Sequence, residues 1–400
     1  MTTDPTGDAA ARSARSAVFE IAAVFLRLGT TAFGGPAAHI AMMEDEVVRR
    51  RRWLTREAFL DYLGATNLIP GPNSTELAIH IGHARGGWPG LLVAGVSFIV
   101  PATIIVGAAA WAYVRYSSLP DIAGLLYGIK PVVIAIVAQA LWGLGHSALK
   151  TRGLALLALA SVIAVAAGIH ELVVLATAGV VMGGLRAIES FNGRVTGALL
   201  AAGASASMTG ATFAAASASA TVAAAPFALW PLFLVFAKVG AVLFGSGYVL
   251  LAFLRADLVQ RLGWLTEQQL LDATAIGQVT PGPVFTTATF IGYVLGGPAG
   301  AGVATVGIFL PAFVFVALSG PLVPRLRRSR VAAGLLDGVN VASLALMAVV
   351  SWQLGRAALV DPLTVGLGVA GLVALVRYRV SSAWLIAGGA AVGWLVTQAR

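Results

Sequence analysis

The stretch "QVTPGP", Gln278 to Pro283, places two prolines inside a long apolar region of the chain. The stretch "NLIPGP", Asn67 to Pro72, does the same in the first half. A proline in a helix interior removes a hydrogen bond and breaks or kinks the helix, whereas it suits the first turn of a new one. Each PGP triplet therefore predicts the end of one half-helix and the start of another.

The composition predicts an all-α integral membrane protein. Of 400 residues, 58% are hydrophobic and 11% are charged, against roughly 25% charged in soluble domains, and the mean hydropathy is +0.88. Apolar windows long enough to cross about 30 Å of hydrocarbon recur along the chain, and strand-like alternation is absent. The chain has no cysteine, which excludes disulfides, thiolate metal sites and iron–sulfur clusters.

Internal similarity predicts a tandem duplication. The segment "FLRLGTTAFGG" (Phe25–Gly35) aligns with "FAKVGAVLFGS" (Phe236–Ser246), and "WLTREAFLD" aligns with "WLTEQQLLD" at the same offset. The two PGP triplets fall in register, so the chain contains two homologous units. The predicted division is a disordered tail at 1–17, a first repeat at 18–186, an Ala/Ser/Gly-rich linker or extra helix at 187–228, and a second repeat at 229–397.

The distribution of basic residues predicts that the two repeats have opposite orientations. In the first repeat the loop at Trp53 is rich in arginine, and the later loop near Tyr116 carries only Arg115. In the second repeat the bias reverses, because the loop at Trp264 is poorer in arginine than the later loop. Under the positive-inside rule this pattern indicates inverted topology, the architecture of many secondary transporters.

An odd number of crossings must then separate the two loops of each repeat. We therefore expect Leu60–Gly82 and Leu271–Gly292 to enter the membrane and return, broken at the PGP. Irregular backbone at that depth is tolerated where protein or a cavity surrounds it.

The PGP triplets also predict an anion site. Helix N-termini expose N–H groups that bind anions, and the half-helices after Pro72 and Pro283 begin with hydroxyl-bearing residues. Arg27 and Lys238 interrupt apolar runs at aligned positions, where a charge costs about 2.5–3.5 kcal/mol to insert. The alternative reading is that these cations reach the helix ends or that Arg27 pairs with Glu20.

Long motifs such as "FGGPAAHI", "GWLTEQQLLDATAIGQVTPGPVFTTATFIGY" and "GIFLPAF" occur in a pattern that covers nearly the whole chain from Phe25. In these motifs the chain resembles the chromate ion transporter (CHR) family in its long, two-domain form. The resemblance implies export of chromate from the cytoplasm, driven by the proton motive force and conferring chromate resistance, with sulfate as a competitor. The chain departs from the family pattern at Asn67, where a Gln is common, and at Glu76, where an uncharged polar residue is more usual.

The candidate substrate-binding residues are the two cations and the residues of the FGG, NLIPGP, FGS and QVTPGP segments with the hydroxyls that follow. They are Arg27, Lys238, Phe33, Gly34, Gly35, Asn67, Pro70, Gly71, Pro72, Ser74, Gly245, Gln278, Pro281, Gly282, Pro283, Thr286 and Thr287. Glu76 and His39 are the proton-coupling candidates. Asp61 and Asp272, each after a WLT triplet, are expected to cap a helix or lie in a loop.

Other functions remain open at this level. Glu76, His80 and His83 share a helical spacing that suits metal ligation, proton relay or structural hydrogen bonding. A passive anion channel or a transporter of sulfate or another oxyanion would use the same features. No nucleophile–base set indicates an enzyme.

The predicted partners are a chromate- or sulfate-like oxyanion, protons and the lipid bilayer, in a multi-pass protein of the inner (plasma) membrane. A homodimer is left open. The sequence predicts no cofactor, no resident metal and no nucleic-acid partner, because no aromatic-interleaved soluble domain accompanies the basic runs.

The charge bias makes a topological prediction. A reporter inserted after Trp53 should lie in the cytoplasm, and one inserted after Trp264 should lie outside, because the arginine-rich loops remain on the cytoplasmic side. Alkaline phosphatase and fluorescent-protein fusions would measure this. Identical readings at the two sites would refute the inverted arrangement.

Overall fold

A computed structural model describes residues 5–32, 35–116, 120–190, 227–244 and 249–398, and within these ranges all regular structure is helical. Predicted site residues Phe33, Gly34 and Gly245 lie outside them, as does most of the 187–228 segment. Five helical segments are long and apolar enough to cross a membrane: Asn73–Tyr116, Asp121–His146, Glu171–Glu189, Val284–Ser319 and Arg330–Ala358. The prediction of an all-α membrane protein is confirmed.

The helices of the first half are α1 (Pro5–Thr31), α2 (Gly35–Glu44), the π-helical turn π1 (Asp45–Arg50), α3 (Arg56–Thr66), α4 (Asn73–Tyr116), α5 (Pro120–Ala148), α6 (Arg152–Ala166) and α7 (Glu171–Ser190). Those of the second half are α8 (Leu229–Val242), α9 (Leu250–Leu254), π2 (Arg255–Arg261), α10 (Glu267–Val279), a 3₁₀ turn (Val284–Thr286), α11 (Thr287–Arg328), α12 (Arg330–Ala358), α13 (Pro362–Arg377) and α14 (Ser382–Gln398). Helix α1 begins within the 1–17 segment for which the sequence predicts a disordered tail.

Both PGP triplets interrupt helices, as predicted. Helix α3 ends at Thr66 and α4 begins at Asn73, while α10 ends at Val279 and helical structure resumes at Val284. The side chains of Thr55 and Thr266 cap α3 and α10 by accepting hydrogen bonds from backbone N–H groups. The prediction of a cap or loop role for Asp61 and Asp272 is therefore wrong, since Asp61 lies within α3 and Asp272 is buried within α10.

Helices α4 and α11 each fold back at a glycine pair, Gly86–Gly87 and Gly296–Gly297. Gly87 and Gly297 both have φ of 60°, a conformation that favours glycine. The segments on either side touch closely, because a Cβ on Gly82 would lie 2.3 Å from the Gly90 carbonyl oxygen. Each helix is thus a short half-helix followed by a longer segment that packs against it.

The two halves exchange helices. Helix α5 of the first half packs against α13 and α14 of the second, and α12 of the second half packs against α6 and α7 of the first. Small residues permit these crossings: a Cβ on Gly128 would lie 1.9 Å from the Gly389 carbonyl oxygen, and one on Gly338 would lie 2.1 Å from that of Ala178. Each half therefore buries its long helices against the other.

The first helix of each half lies against the long helix of the same half through a glycine. A Cβ on Gly29 of α1 would lie 2.6 Å from the Phe98 carbonyl oxygen, and one on Gly240 of α8 would lie 2.3 Å from that of Ile308. Because the obstacles are backbone atoms, neither contact can yield by a side-chain rotation.

This packing predicts that Gly240→Val destabilises the protein, since overpacking costs about 1–3 kcal/mol. The matched control is Gly107→Val, at a helical glycine of α4 where an added Cβ would have no heavy atom within 4 Å. Thermal unfolding in detergent, followed by loss of the monodisperse peak, would measure both. Equal unfolding temperatures would contradict the close approach of α8 to α11.

Candidate functional site

The two helix breaks are joined to opposite halves by a reciprocal pair of backbone hydrogen bonds. The N–H of Gly71 donates to the Leu243 carbonyl oxygen at 2.8 Å, and the N–H of Gly282 donates to the Ala32 carbonyl oxygen at 2.9 Å. Ala32 and Leu243 directly follow α1 and α8. With φ of +136° and +90°, Gly71 and Gly282 adopt backbone conformations that L side chains rarely reach. The PGP loop of each half therefore meets the end of the first helix of the other half.

His39 connects this crossing to the start of α4. Its Nε2 lies 3.1 Å from the Ala32 carbonyl oxygen and its Nδ1 lies 3.4 Å from Ser74 Oγ. A carbonyl oxygen only accepts, so Nε2 carries a proton, and Nδ1 of a neutral ring accepts from the Ser74 hydroxyl. The structure thus brings together His39, Ser74 and Gly282, three of the predicted site residues.

The half-helices after the breaks begin with tight turns. The N–H groups of Thr75 and Glu76 donate to the Pro72 carbonyl oxygen at 2.7 and 3.0 Å. This turn leaves the N–H groups of Asn73 and Ser74 at the tip of α4, in the place where a helix binds an anion. The Asn73 side chain donates to Asn67 Oδ1 at 2.9 Å and closes the other side of the loop.

The hydroxyls after the second break are differently engaged. Thr286 Oγ1 donates to the Pro283 carbonyl oxygen and Thr287 Oγ1 donates to that of Val284, both at 2.8 Å. A hydroxyl has one proton to donate, so neither has a free proton for an anion in this conformation. The N–H group of Thr286 donates to the Pro283 carbonyl oxygen. The N–H groups of Val284 and Phe285, which precede it, lie at the tip of this helix.

Glu76 is a fully buried acid beside the first break. Within the described residues, neither of its carboxyl oxygens nor the neighbouring Thr75 Oγ1 has a hydrogen-bond partner. A Cβ on Gly71 would lie 2.3 Å from Glu76 Oε1, so the carboxyl group turns back into the PGP loop. The aligned residue of the second half is the neutral Thr287.

The remaining loop residues surround these groups. The prolines of the two triplets are buried or half-buried, as is Gln278, whereas Asn67 is exposed. Gly35 has φ of 76° and starts α2 immediately after the break that follows α1.

Arg27 and Lys238 both pair with acids from the π-helical turns. Arg27 forms an ion pair with Glu46 of π1, and Lys238 forms one with Asp257 of π2 at the aligned position. Half of the Arg27 side chain (51%) is accessible, against 24% for Lys238. Burial opposes ionisation of Glu46, but hydrogen bonds from Arg51 and Arg27 outweigh it and lower the pKa of the carboxyl group. The alternative partner Glu20 instead pairs with Arg85 at 3.2 Å.

The sequence pattern did not single out several other charges that pair with interior residues. Arg261, which is exposed, pairs with the buried Asp257 at 2.8 Å, and Glu171 of α7 lies 3.7 Å from Lys238. Lys130 of α5 pairs with Asp272 at 2.9 Å. Lys130 interrupts the apolar run Ile122–Leu149, so the same intramembrane-charge signal that indicated Arg27 also applies to it.

The Glu76, His80 and His83 set does not converge on a common point. His80 stacks on Tyr62 and His83 packs against Trp88, each with ring centroids 5.4 Å apart. Within the described ranges, no group of three His, Cys, Asp or Glu side chains is arranged to hold a metal ion.

Broken apolar helices that meet in the interior, with paired charges beside them, define a helical membrane protein of the transporter class. The sequence model of the family described as "Chromate transporter" matches twice, at residues 19–184 and 230–394. The chain therefore belongs to the chromate transporter family.

Two similar curated proteins are both named chromate transport protein. That of Pseudomonas aeruginosa is 31% identical over 387 residues, covering 94% of this chain and 92% of the relative. That of Cupriavidus metallidurans is 30% identical over 379 residues, covering 92% and 90%. No solved structure matches the chain.

The ion pairs make a prediction that separates two roles for Lys238. If Lys238 supplies charge to the substrate, Lys238→Gln should reduce chromate transport about 10- to 100-fold, the equivalent of a lost charged hydrogen bond. The double variant Lys238→Gln/Asp257→Asn should then remain equally impaired, although the local charge is rebalanced. Flux assays at matched membrane abundance would measure this, with Arg49→Gln, an exposed cation of π1, as control. Recovery in the double variant would show that Lys238 serves only to neutralise Asp257.

Proposed function

We propose that the protein is a secondary active transporter that exports chromate from the cytoplasm across the inner membrane and thereby confers chromate resistance. The observation that carries the proposal is the reciprocal crossing of the two helix breaks, at Gly71–Leu243 and Gly282–Ala32, in a chain of the chromate transporter family. The names of the relatives from Pseudomonas aeruginosa and Cupriavidus metallidurans support chromate as the substrate.

The oxyanion binds between the two breaks in this proposal. The N–H groups at the tips of both half-helices supply several donors. The Ser74 hydroxyl becomes a further donor from the first half only when it no longer donates to His39 Nδ1. A tetrahedral dianion suits such a site, because its four oxygens accept from donors on several sides. Arg27 and Lys238, about five residues before the crossing carbonyls, provide compensating charge at longer range.

The proton motive force drives the export in this proposal, chiefly through its electrical component, the membrane potential. With the cytoplasm negative, moving one negative charge outward is favoured by about 2.3 kcal/mol per 100 mV. A dianion accompanied by one proton still carries one negative charge, so its export remains downhill in the electrical field.

Glu76 is the proton-binding residue of the proposal. Its carboxyl group turns into the same loop whose N–H groups face the anion. A carboxylate and a dianion at one helix end repel each other, so a proton on Glu76 strengthens anion binding, and by reciprocity the anion strengthens proton binding. His39 is the second candidate, because protonation at Nδ1 would reverse its hydrogen bond with Ser74, so that the ring donates and the Ser74 hydroxyl proton becomes available to the anion.

The proposal predicts chromate uptake into inside-out vesicles that responds to a lumen-positive potential and carries protons with it. Glu76→Gln should remove the chromate-dependent proton movement, because the amide keeps the shape without the titratable group. Radiolabelled chromate and a trapped pH dye would measure the two fluxes, and comparison with the wild-type protein cancels any titration of chromate itself. Sulfate in place of chromate tests the substrate.

A passive anion channel is the second candidate, since it would share the helix breaks and respond to the same potential. It would show no proton movement in either protein. Wild-type flux without any proton component would refute the coupled mechanism and favour the channel.

A further inference from the structure

The half-helices that precede the two breaks are aligned in sequence but packed differently. Helix α10 packs against α5, α11, α12 and α14, whereas the contacts of α3 within the described ranges are chiefly with α4. Leu271 of α10 is 1% exposed, and its counterpart Leu60 of α3 is 49% exposed. Asp272 is buried and the aligned Asp61 is exposed. The equivalent elements of the two halves therefore occupy different states.

A three-residue cluster holds α10 in its buried position. Lys130 Nζ of α5 lies 2.9 Å from Asp272 Oδ1, and Tyr113 Oη at the end of α4 donates to Asp272 Oδ2 at 2.9 Å. The Tyr113 ring packs on Phe290 of α11 at a centroid distance of 5.1 Å. Both oxygens of the carboxylate are thus engaged by side chains of the first half.

The interaction that the other half can form at the corresponding position is weaker than the Lys130–Asp272 ion pair. After a one-residue gap the two halves align at an offset of 210, which pairs Gly82 with Gly292 and Lys130 with Asn340, a half-buried residue of α12. An asparagine can offer Asp61 a hydrogen bond to a neutral group, which is weaker than a charge-assisted one between a lysine and an aspartate.

We propose that Lys130, Tyr113 and Asp272 form a closed gate, and that Asp61 and Asn340 form the alternative gate when the transporter opens to the other side. In transporters built from inverted repeats, access alternates as one repeat or bundle moves against the other around a fixed site. In this structure α10 is held by its gate residues, so its gate is closed, whereas the gate at α3 is open. On reversal α10 leaves the cluster, α3 moves into the corresponding place, and Asp61 reaches Asn340.

The gate rests on the proposed function, because it requires a transport cycle with two states. The gate also makes the two states of that cycle unequal in stability. The ion pair favours the state with α10 closed at rest, and the neutral Asn340 leaves the opposite state less stable until substrate is bound.

A cross-linking experiment tests the gate in the natural background, which contains no cysteine. Asp61→Cys and Asn340→Cys are combined, and purified protein in liposomes is treated with a short bifunctional methanethiosulfonate. Mass spectrometry of the linked peptides measures the yield. The yield should be low in the absence of substrate and should rise severalfold with saturating chromate. The control pair combines Asp61→Cys with Leu335→Cys, which lies on another face of α12, and its yield should not respond.

A second variant weakens the closed gate without leaving a buried charge alone. Tyr113→Phe removes one hydrogen bond to Asp272 and keeps the ring against Phe290, whereas Lys130→Met risks misfolding because Asp272 would lose its counter-ion. In the Asp61/Asn340 cysteine background, Tyr113→Phe should raise the cross-linking yield even without chromate. Tyr116→Phe, at an exposed tyrosine one turn away, is the matched control and should leave the yield unchanged.

The outcomes separate the gate from the proposed function. A yield that rises with sulfate and not with chromate supports the gate and overturns the proposed substrate. Normal chromate flux with a yield that neither anion changes overturns the gate. A Tyr113→Phe protein that loses transport without a change in yield also overturns it, because the tyrosine would then serve packing alone.

Discussion

Two backbone hydrogen bonds, from Gly71 to Leu243 and from Gly282 to Ala32, fix the centre of this fold. Each joins a helix break of one half to the end of a helix of the other. Buried backbone groups released from a helix need partners elsewhere, and here each half supplies the partner that the other lacks. The glycine between the two prolines is required because its N–H must reach the carbonyl at a positive φ. The prolines have no N–H and so add no backbone donor that needs a partner.

The exchange of helices follows from the same constraint. A half whose central loop is completed only by the other half gains from burying its long helices there too, and α5 and α12 do this through contacts of glycine with backbone. Apolar side chains provide little force between helices in lipid, so close backbone approach and interior polar contacts carry the association. The ion pairs Lys238–Asp257 and Lys130–Asp272 are two of these interior polar contacts.

The sequence predicts the helical membrane class, both helix breaks and the cations at aligned positions, because these depend on local composition and spacing. It does not predict the partners of those cations. Glu46 and Asp257 lie in polar stretches that resemble loops, yet the π-helical turns bring both into the interior. The prediction for Asp272 is wrong because its helix is short and moderately polar, and only the three-dimensional fold places Lys130 and Tyr113 beside it. Opposite orientation of the repeats remains a prediction from the arginine bias.

The departures from internal symmetry indicate how two similar halves can serve a directional process. Glu76 aligns with Thr287, His39 with Leu250, and Lys130 with Asn340. The titratable groups next to the crossing therefore belong to the first half. The stronger gate holds α10, a helix of the second half. If the two halves were identical in sequence, the two end states would have equal free energy apart from the membrane field. Each substitution instead gives one state an interaction that the other lacks, and a ligand shifts such an equilibrium only by its difference in affinity for the two states. Duplication thus supplies the two-state framework, and the unmatched side chains decide which state the substrate and the proton each favour.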